Sequence, residues 1–250
     1  MRPIPAIREL LSIRPYHKAL TARPVLADWQ QLDYGEHPRQ YCLVAQQPDT
    51  QAPVAVWFHG GGWQFGSPDK LVAFGEYFFA RGYTVWMPSH RRMPRHPGRV
   101  VYADALRALR LVQDYSTTPP QLLLGGMSSG GHLATLAALR REDWLRSGRI
   151  HGLIACGAPL SLDKLGASPT RWRFAGKPNS ERFTELDPTA QLSEVPHFPM
   201  RIIHGTEDGL VPYASAVGFA SKAKRMGWAD CELTTLPGGS HLDAAAWVSG

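Results

Sequence analysis

The 250-residue sequence has few cysteines and no long apolar segment. Cys42, Cys156 and Cys231 lie far apart and form no C-x-x-C pair, which favours reduced, buried thiols over a disulfide framework. No apolar run approaches the roughly 20 residues that span a bilayer. The prolines and charges of residues 1–15 are unlike a secretory signal. These absences predict a cytoplasmic protein with no membrane partner.

Metal-binding and nucleic-acid-binding motifs are missing as well. No H-E-x-x-H motif or other zinc-ligand spacing occurs, so we expect neither a metal nor a cofactor. The net charge of +6 comes mainly from scattered arginines. Because no nucleic-acid module accompanies them, they favour solvated helix faces and a small-molecule substrate over a nucleic-acid partner. The oligomeric state is left open, a homodimer being one candidate.

Strand-like runs alternate with helical patterns along the chain. This alternation is typical of an α/β fold with a mostly parallel sheet and helices on both faces, and the length fits one domain over residues 1–250. The pattern predicts strands over 29–34, 40–45, 54–58, 84–88, 121–124, 150–156, 200–204 and 231–236. It predicts helices over about 67–81, capped by Ser67, and about 99–115, 129–141 and 212–226.

Residues 161–197 do not fit this alternation. The segment is polar, contains prolines and has only weak periodicity. An insertion before a late strand often forms a lid or pocket wall over a site. A long surface loop with short helices is the alternative, and the sequence does not decide between them.

The segment from Gly126 to Gly130 has the pattern G-x-S-x-G and follows an apolar run. Between a strand and a helix, this pattern is typical of a sharp turn that exposes a nucleophilic serine. Side chains at Gly126 or Gly130 would collide with neighbouring backbone in such a turn. Ser128 is therefore the candidate nucleophile. The alternative is that Ser128 only caps the following helix.

A second glycine-rich segment, His59 to Trp63, follows the strand predicted over 54–58. Glycines there allow backbone amides to point into a cavity and to stabilise the oxyanion of a tetrahedral intermediate. We expect the amides of Gly61, Gly62 and Ser129 to form this oxyanion hole, with Gly60 serving the turn.

An activated serine needs a base, and the base needs an acid to orient it. Asp208 follows the strand predicted over 200–204, and His241 follows the last predicted strand. Both would lie at the carboxyl edge of the sheet, beside Ser128. Glu207 is the alternative acid, whereas His241 is the only histidine after Asp208.

Other residues near these motifs are candidates for supporting roles. His59 and His204 are expected to hold loop backbone in place. His132, one turn after the predicted elbow, is expected to be structural or pocket-lining. Trp63, Met127 and His132 are the candidate substrate contacts.

Four sequence blocks resemble the hormone-sensitive-lipase and carboxylesterase group of the α/β-hydrolases. They are HGGGW at His59, GMSSGGHLA at Gly126, HGTEDGLVP at His204 and GGSH ending at His241. The chain is most similar to short bacterial esterases and to kynurenine-formamidase-like (feruloyl-esterase-like) members. The resemblance implies an α/β-hydrolase fold with an eight-stranded, mostly parallel sheet and a small lid.

The same resemblance implies a serine hydrolase that cleaves small carboxylic esters with the triad Ser128, Asp208 and His241. An arylformamidase acting on N-formylkynurenine is the alternative, in which Trp63 would form an aromatic slot. A hydrolase-fold protein that binds a ligand without catalysis is a third hypothesis, which the complete triad disfavours.

Overall fold

The computed structural model describes residues 5–116, 119–166, 168–192 and 198–249. In these ranges the strands are β1 Trp29–Asp33, β2 Tyr41–Ala45, β3 Val54–Phe58, β4 Thr84–Pro88, β5 Gln121–Met127, β6 Arg149–Cys156, β7 Met200–Gly205 and β8 Cys231–Leu236. They form one sheet in the order β1-β2-β4-β3-β5-β6-β7-β8. β2 runs antiparallel to both β1 and β4, and the other pairs are parallel.

The α-helices of the described ranges are α1 Pro5–Thr21, α2 Val72–Phe79, α3 Gly98–Tyr115, α4 Ser129–Leu139, α5 Pro169–Ala175, α6 Glu181–Leu186 and α7 Tyr213–Arg225. Short 3-10 helices cover Pro68–Leu71, Arg141–Asp143, Leu162–Leu165, Pro188–Gln191 and Leu242–Ser249. None of the helices in the described ranges combines the length and apolar character needed to cross a bilayer.

The mostly parallel sheet covered on both faces is confirmed. β3 lies in the middle of the sheet and all of its side chains are buried. Its residues alternate between two apolar layers: Val56 and Phe58 pack on one face, and Ala55 and Trp57 on the other. This double burial explains why β3 is apolar at every position rather than at every second one.

The predicted strands are found with shifts of at most three residues at their ends, and three of the predicted helices lie close to their expected bounds. The helix predicted over 67–81 is found over 68–79, in two parts and without the predicted Ser67 side-chain cap. It begins with one 3-10 turn, Pro68–Leu71, before the α-helix that ends at Phe79, and the Ser67 side chain makes no capping hydrogen bond. Such 3-10 turns are common at helix ends.

Helix α1 was not predicted. It contains Pro15 in its interior, a residue that normally argues against a helix. Its burial is uneven, since Leu20 and Glu9 are almost completely buried whereas Leu10 and Leu11 are largely exposed. The tertiary packing of a few residues, rather than a regular apolar face, holds α1 against the domain.

The segment 161–197 contains two short α-helices and two 3-10 helices, with residues 167 and 193–197 outside the described ranges. Phe174 and Leu186 are completely buried and belong to the main apolar cluster. The segment therefore packs against the core over much of its length. That residues 1–250 form a single domain stays a prediction.

Candidate active site

Ser128 directly follows β5 and precedes α4, in a backbone conformation that few residues adopt. Its φ and ψ angles are 54° and −125°. Conformations of this kind cost about 1–3 kcal/mol and are found where surrounding structure enforces them. The Ser128 side chain makes no helix-capping hydrogen bond, so the capping alternative does not apply. The turn instead presents Ser128 to a cavity of about 470 Å³ at the carboxyl edge of the sheet.

The glycines around Ser128 are required by close backbone contacts. A Cβ atom on Gly126 would lie 2.5 Å from the backbone carbon of Gly130, and one on Gly130 would lie 2.1 Å from the Phe58 carbonyl oxygen. Both distances are shorter than any real Cβ contact. The backbone is therefore as crowded here as the sequence predicted. The Ser128 turn packs closely against the end of β3 and leaves no room for a side chain at either glycine.

The loop after β3 passes beside the Ser128 turn. Gly61 and Gly62 have φ angles of 130° and 59°, which glycine adopts without strain. The amides of Gly61, Gly62 and Ser129 donate no hydrogen bond to a residue of the described ranges, and all three residues line the cavity. Three free N–H groups beside a serine are the arrangement that stabilises a negatively charged oxygen.

Two buried histidines, His59 and His90, pack together beside this loop. His59 Nδ1 donates to the Gly60 carbonyl oxygen at 2.8 Å, and the ring stacks on His90 with 4.8 Å between centroids. Burial, followed by the neighbouring His90, lowers the pKa of His59 well below its ordinary value. A neutral His59 thus holds loop backbone, the role expected of it.

Asp208 lies in the loop after β7, and His241 lies in the loop after β8. A backbone hydrogen bond connects the two loops: Glu207 N donates to Gly239 O at 2.9 Å. The His241 Nδ1–H donates to Asp208 Oδ2 at 2.7 Å. The Asp208 side chain is completely buried, whereas Glu207 is exposed. Asp208, not Glu207, is therefore the carboxylate that contacts His241, and this hydrogen bond leaves Nε2 as the ring nitrogen that can accept a proton.

The Asp208 carboxylate has further hydrogen-bond partners besides His241. Its Oδ1 accepts from the amides of Leu210 and Val211 at 2.9 and 2.8 Å, and His204 Nε2 lies 3.1 Å from Oδ2. Burial raises the pKa of Asp208, but the hydrogen bonds from His204 and His241 outweigh it and hold the pKa well below its ordinary range. The carboxylate therefore stays ionised and fixed in orientation.

The three candidate substrate contacts differ in position. Trp63 and Met127 line the cavity, although one face of Trp63 is already stacked on Phe174 with 4.1 Å between ring centroids. His132 is completely buried and its Nε2 donates to the Leu186 carbonyl oxygen at 2.8 Å. It lies behind Trp63 and does not reach the cavity. Of the two roles expected of His132, the structural one applies.

Helix α1 contributes residues to the site that sequence reasoning missed. Leu10, Ile13, Tyr16 and His17 line the cavity. Glu9 is 1% exposed, and its Oε1 accepts a hydrogen bond from the backbone N–H of His241 at 2.7 Å. The two residues are 232 positions apart, so no local pattern indicates the contact.

Glu9→Ala should lower the free energy of unfolding by about 1–3 kcal/mol, since it leaves the His241 amide buried without a partner. It should also lower kcat, because the His241 backbone loses its anchor. Glu9→Gln retains an acceptor oxygen and should lose less of both. Urea denaturation and ester hydrolysis measure these effects.

Glu181→Ala serves as the control, because the Glu181 side chain is 91% exposed and exposed ion pairs contribute about 0–1 kcal/mol. A Glu9→Ala protein as stable and as active as the control would contradict the anchoring role.

Within the described ranges, no group of three or more His, Cys, Asp or Glu side chains could hold a metal ion. Cys42 and Cys156 are buried and Cys231 is half-buried, all as free thiols.

Comparisons with known proteins agree with this architecture. Residues 42–153 match the BD-FAE family. The chain is 25% identical over 241 residues to Esterase LipC of Mycobacterium tuberculosis, covering 83% of this chain and 58% of LipC. It is 30% identical over 135 residues to a kynurenine formamidase of Danio rerio, covering 49% of this chain and 42% of that protein.

Among solved structures, Esterase B of Lactobacillus rhamnosis superimposes with a TM-score of 0.78 at 17% identity, covering 95% of this chain and 86% of that one. This similarity establishes the α/β-hydrolase fold. The chain spans only 58% of the length of LipC.

Proposed function

We propose that this chain, a member of the α/β-hydrolase superfamily most similar to its hormone-sensitive-lipase and carboxylesterase group, is a serine hydrolase of small carboxylic esters. One observation carries the proposal. Ser128, in its strained turn, lines the same cavity as His241, whose ring is held by the buried carboxylate of Asp208. A nucleophile, a base and an orienting acid are the components of acyl transfer through a covalent intermediate.

The chemistry follows from the position of each group. As the Oγ of Ser128 attacks the ester carbonyl carbon, Nε2 of His241 takes the hydroxyl proton. Asp208 stabilises the resulting imidazolium, and the amides of Gly61, Gly62 and Ser129 donate to the new oxyanion. The C–O bond to the alcohol then breaks, and the alcohol leaves with the proton from His241. A water molecule repeats the sequence on the acyl-enzyme and releases the acid.

The first test is the initial rate of hydrolysis of p-nitrophenyl esters from acetate to decanoate. We expect a maximum at about two to four acyl carbons, because the cavity is near the lower end of the range for ligand pockets and is bounded by α1 and α5. A fluorophosphonate should label the enzyme at Ser128. A folded protein with neither ester turnover nor labelling would overturn the proposal and favour ligand binding without catalysis.

The arylformamidase alternative is supported by the similarity to the zebrafish enzyme. It is weakened by Trp63, whose stacking on Phe174 leaves it a poor aromatic slot. N-formylkynurenine belongs in the same assay series. A kcat/KM for it that exceeds every ester value would reassign the bond that is cleaved without changing the mechanism.

We also propose that the segment 161–197 is the lid or pocket wall of the site. Residues 161–197 supply Leu165, Ser168, Thr170 and Arg171 to the cavity wall, which supports the lid or pocket-wall interpretation over a plain surface loop. A cytoplasmic location, a small-molecule substrate and the absence of a nucleic-acid partner follow from the sequence alone and stay predictions.

A further inference from the structure

We propose that Arg171 recognises a carboxylate on the substrate, so that the preferred substrates of the cavity are esters or amides that carry an acidic group. The inference rests on the proposed function and specifies its substrate class. It starts from a charged side chain that the proposed mechanism does not use.

Arg171 is 8% exposed and lines the same cavity as Ser128. Its Nε atom is enclosed without a hydrogen-bond partner, and within the described ranges its guanidinium makes no ion pair. The Cζ atom of the Arg171 guanidinium lies 5.9 Å from the centroid of the Phe183 ring. A buried cation without a counter-ion is costly, and proteins normally pair it. An anionic ligand in the cavity would complete this environment.

The charge of the cavity wall favours the same conclusion. The described lining residues include no Asp or Glu, and the two carboxylates nearby, Asp208 and Glu9, are hydrogen-bonded to His241. His17 also lines the cavity. Its pKa is lowered from the ordinary value, mainly by burial, and this disfavours the charged form of the ring. Among the described lining residues, Arg171 is the one Arg or Lys side chain. Most other lining side chains, such as Leu10, Ile13 and Leu242, are apolar and would accommodate the uncharged part of a substrate.

Arg171 lies in a helix that packs against the loop after β3. Helix α5, which carries Arg171, contacts the loop after β3 at two points: Gln64 Nε2 donates to Thr170 Oγ1 at 3.0 Å, and Trp63 stacks on Phe174. Ser168 and Thr170 add hydroxyl groups to the cavity wall beside Arg171. A planar guanidinium matches a carboxylate with two parallel hydrogen bonds, so it fixes orientation as well as supplying charge.

Two substrate pairs test the proposal and distinguish the two places where a carboxylate can be attached. Mono-p-nitrophenyl glutarate against p-nitrophenyl pentanoate puts it on the acyl side. 3-Acetoxybenzoate against its methyl ester puts it on the leaving group. We expect the wild type to prefer the anionic member of one pair in kcat/KM, and Arg171→Met to lower that preference about 10- to 100-fold, mainly through KM.

Two further variants make the result specific. Arg171→Lys keeps the charge but not the paired geometry, and should show an intermediate preference. Arg173→Met removes an arginine from the same helix that is exposed and does not line the cavity, and it should retain the wild-type preference. Rates on the neutral esters, together with thermal unfolding, show whether each variant is folded.

A binding measurement separates this inference from the proposed function. Glutarate or 3-hydroxybenzoate should raise the melting temperature of the wild type more than that of Arg171→Met, whether or not any ester is hydrolysed. Ester turnover with equal rates on both members of each pair, unchanged in Arg171→Met, would overturn the anion site and leave the hydrolase intact. Anion-dependent stabilisation without turnover would support the site and overturn the proposed function.

Discussion

Ser128→Ala should lower kcat for a short-chain p-nitrophenyl ester by on the order of 10⁴-fold or more, because the acyl-enzyme can no longer form. The residual rate should come from the oxyanion donors and from substrate binding, which the substitution leaves in place. Labelling by a fluorophosphonate should disappear completely. The removed oxygen makes no helix-capping hydrogen bond, so the melting temperature should stay close to that of the wild type or rise.

The matched control is Ser147→Ala. Ser147 is exposed and lies just before β6, at the amino edge of the sheet, away from the cavity. It should keep full activity and labelling. If Ser128→Ala retained more than about a tenth of the wild-type kcat/KM in a folded protein, the nucleophile would be another group and the acyl-enzyme mechanism would fail.

Gly130→Ala should lower the free energy of unfolding by about 3 kcal/mol, the upper end of the range for overpacking, or prevent folding, because the added Cβ would meet backbone atoms. In an unstrained helix, alanine is more favourable than glycine by roughly 0.5–1 kcal/mol. Here the added Cβ would lie 2.1 Å from the Phe58 carbonyl oxygen and 2.5 Å from that of His59. Since both neighbours are backbone atoms at the end of a buried strand, they cannot move aside cheaply.

The experiment is urea denaturation of Gly130→Ala beside Gly218→Ala. Gly218 lies in α7, and its nearest neighbour for an added Cβ is the Ser161 hydroxyl at 3.2 Å, a side chain that can adjust. We expect Gly218→Ala to change the free energy of unfolding by no more than about 1 kcal/mol. Equal stability of the two variants would show that α4 does not approach β3 as closely as 2.1 Å implies.

Much of the site could be predicted because it depends on local sequence and on one topological rule. The apolar runs before Ser128, Asp208 and His241 predict strands, and parallel strands end at a common edge. Three chemically matched residues placed directly after such strands must therefore lie near one another. The elbow glycines are equally local, since a sharp turn between a strand and a helix leaves no room for side chains.

Other features depended on packing that no local pattern records. Helix α1 contains Pro15, which argues against a helix, and its role appears only where Glu9 meets the backbone of His241. Tertiary packing also decided that His132 supports Leu186 instead of lining the cavity. In the sequence, Arg171 is one of many scattered basic residues; burial without a counter-ion distinguishes it from the rest.

The difference between the features that local sequence predicted and those that tertiary packing decided has a physical cause. Strand, turn and elbow positions are set by steric and hydrophobic preferences that act over a few neighbouring residues, and the sequence alone determined them together with the candidate triad. The cavity wall is built from α1, α5 and the loop after β3, segments brought together only when the core is packed. Whether a side chain such as His132 or Arg171 faces the core or the cavity follows from that packing, so only the tertiary structure decided it.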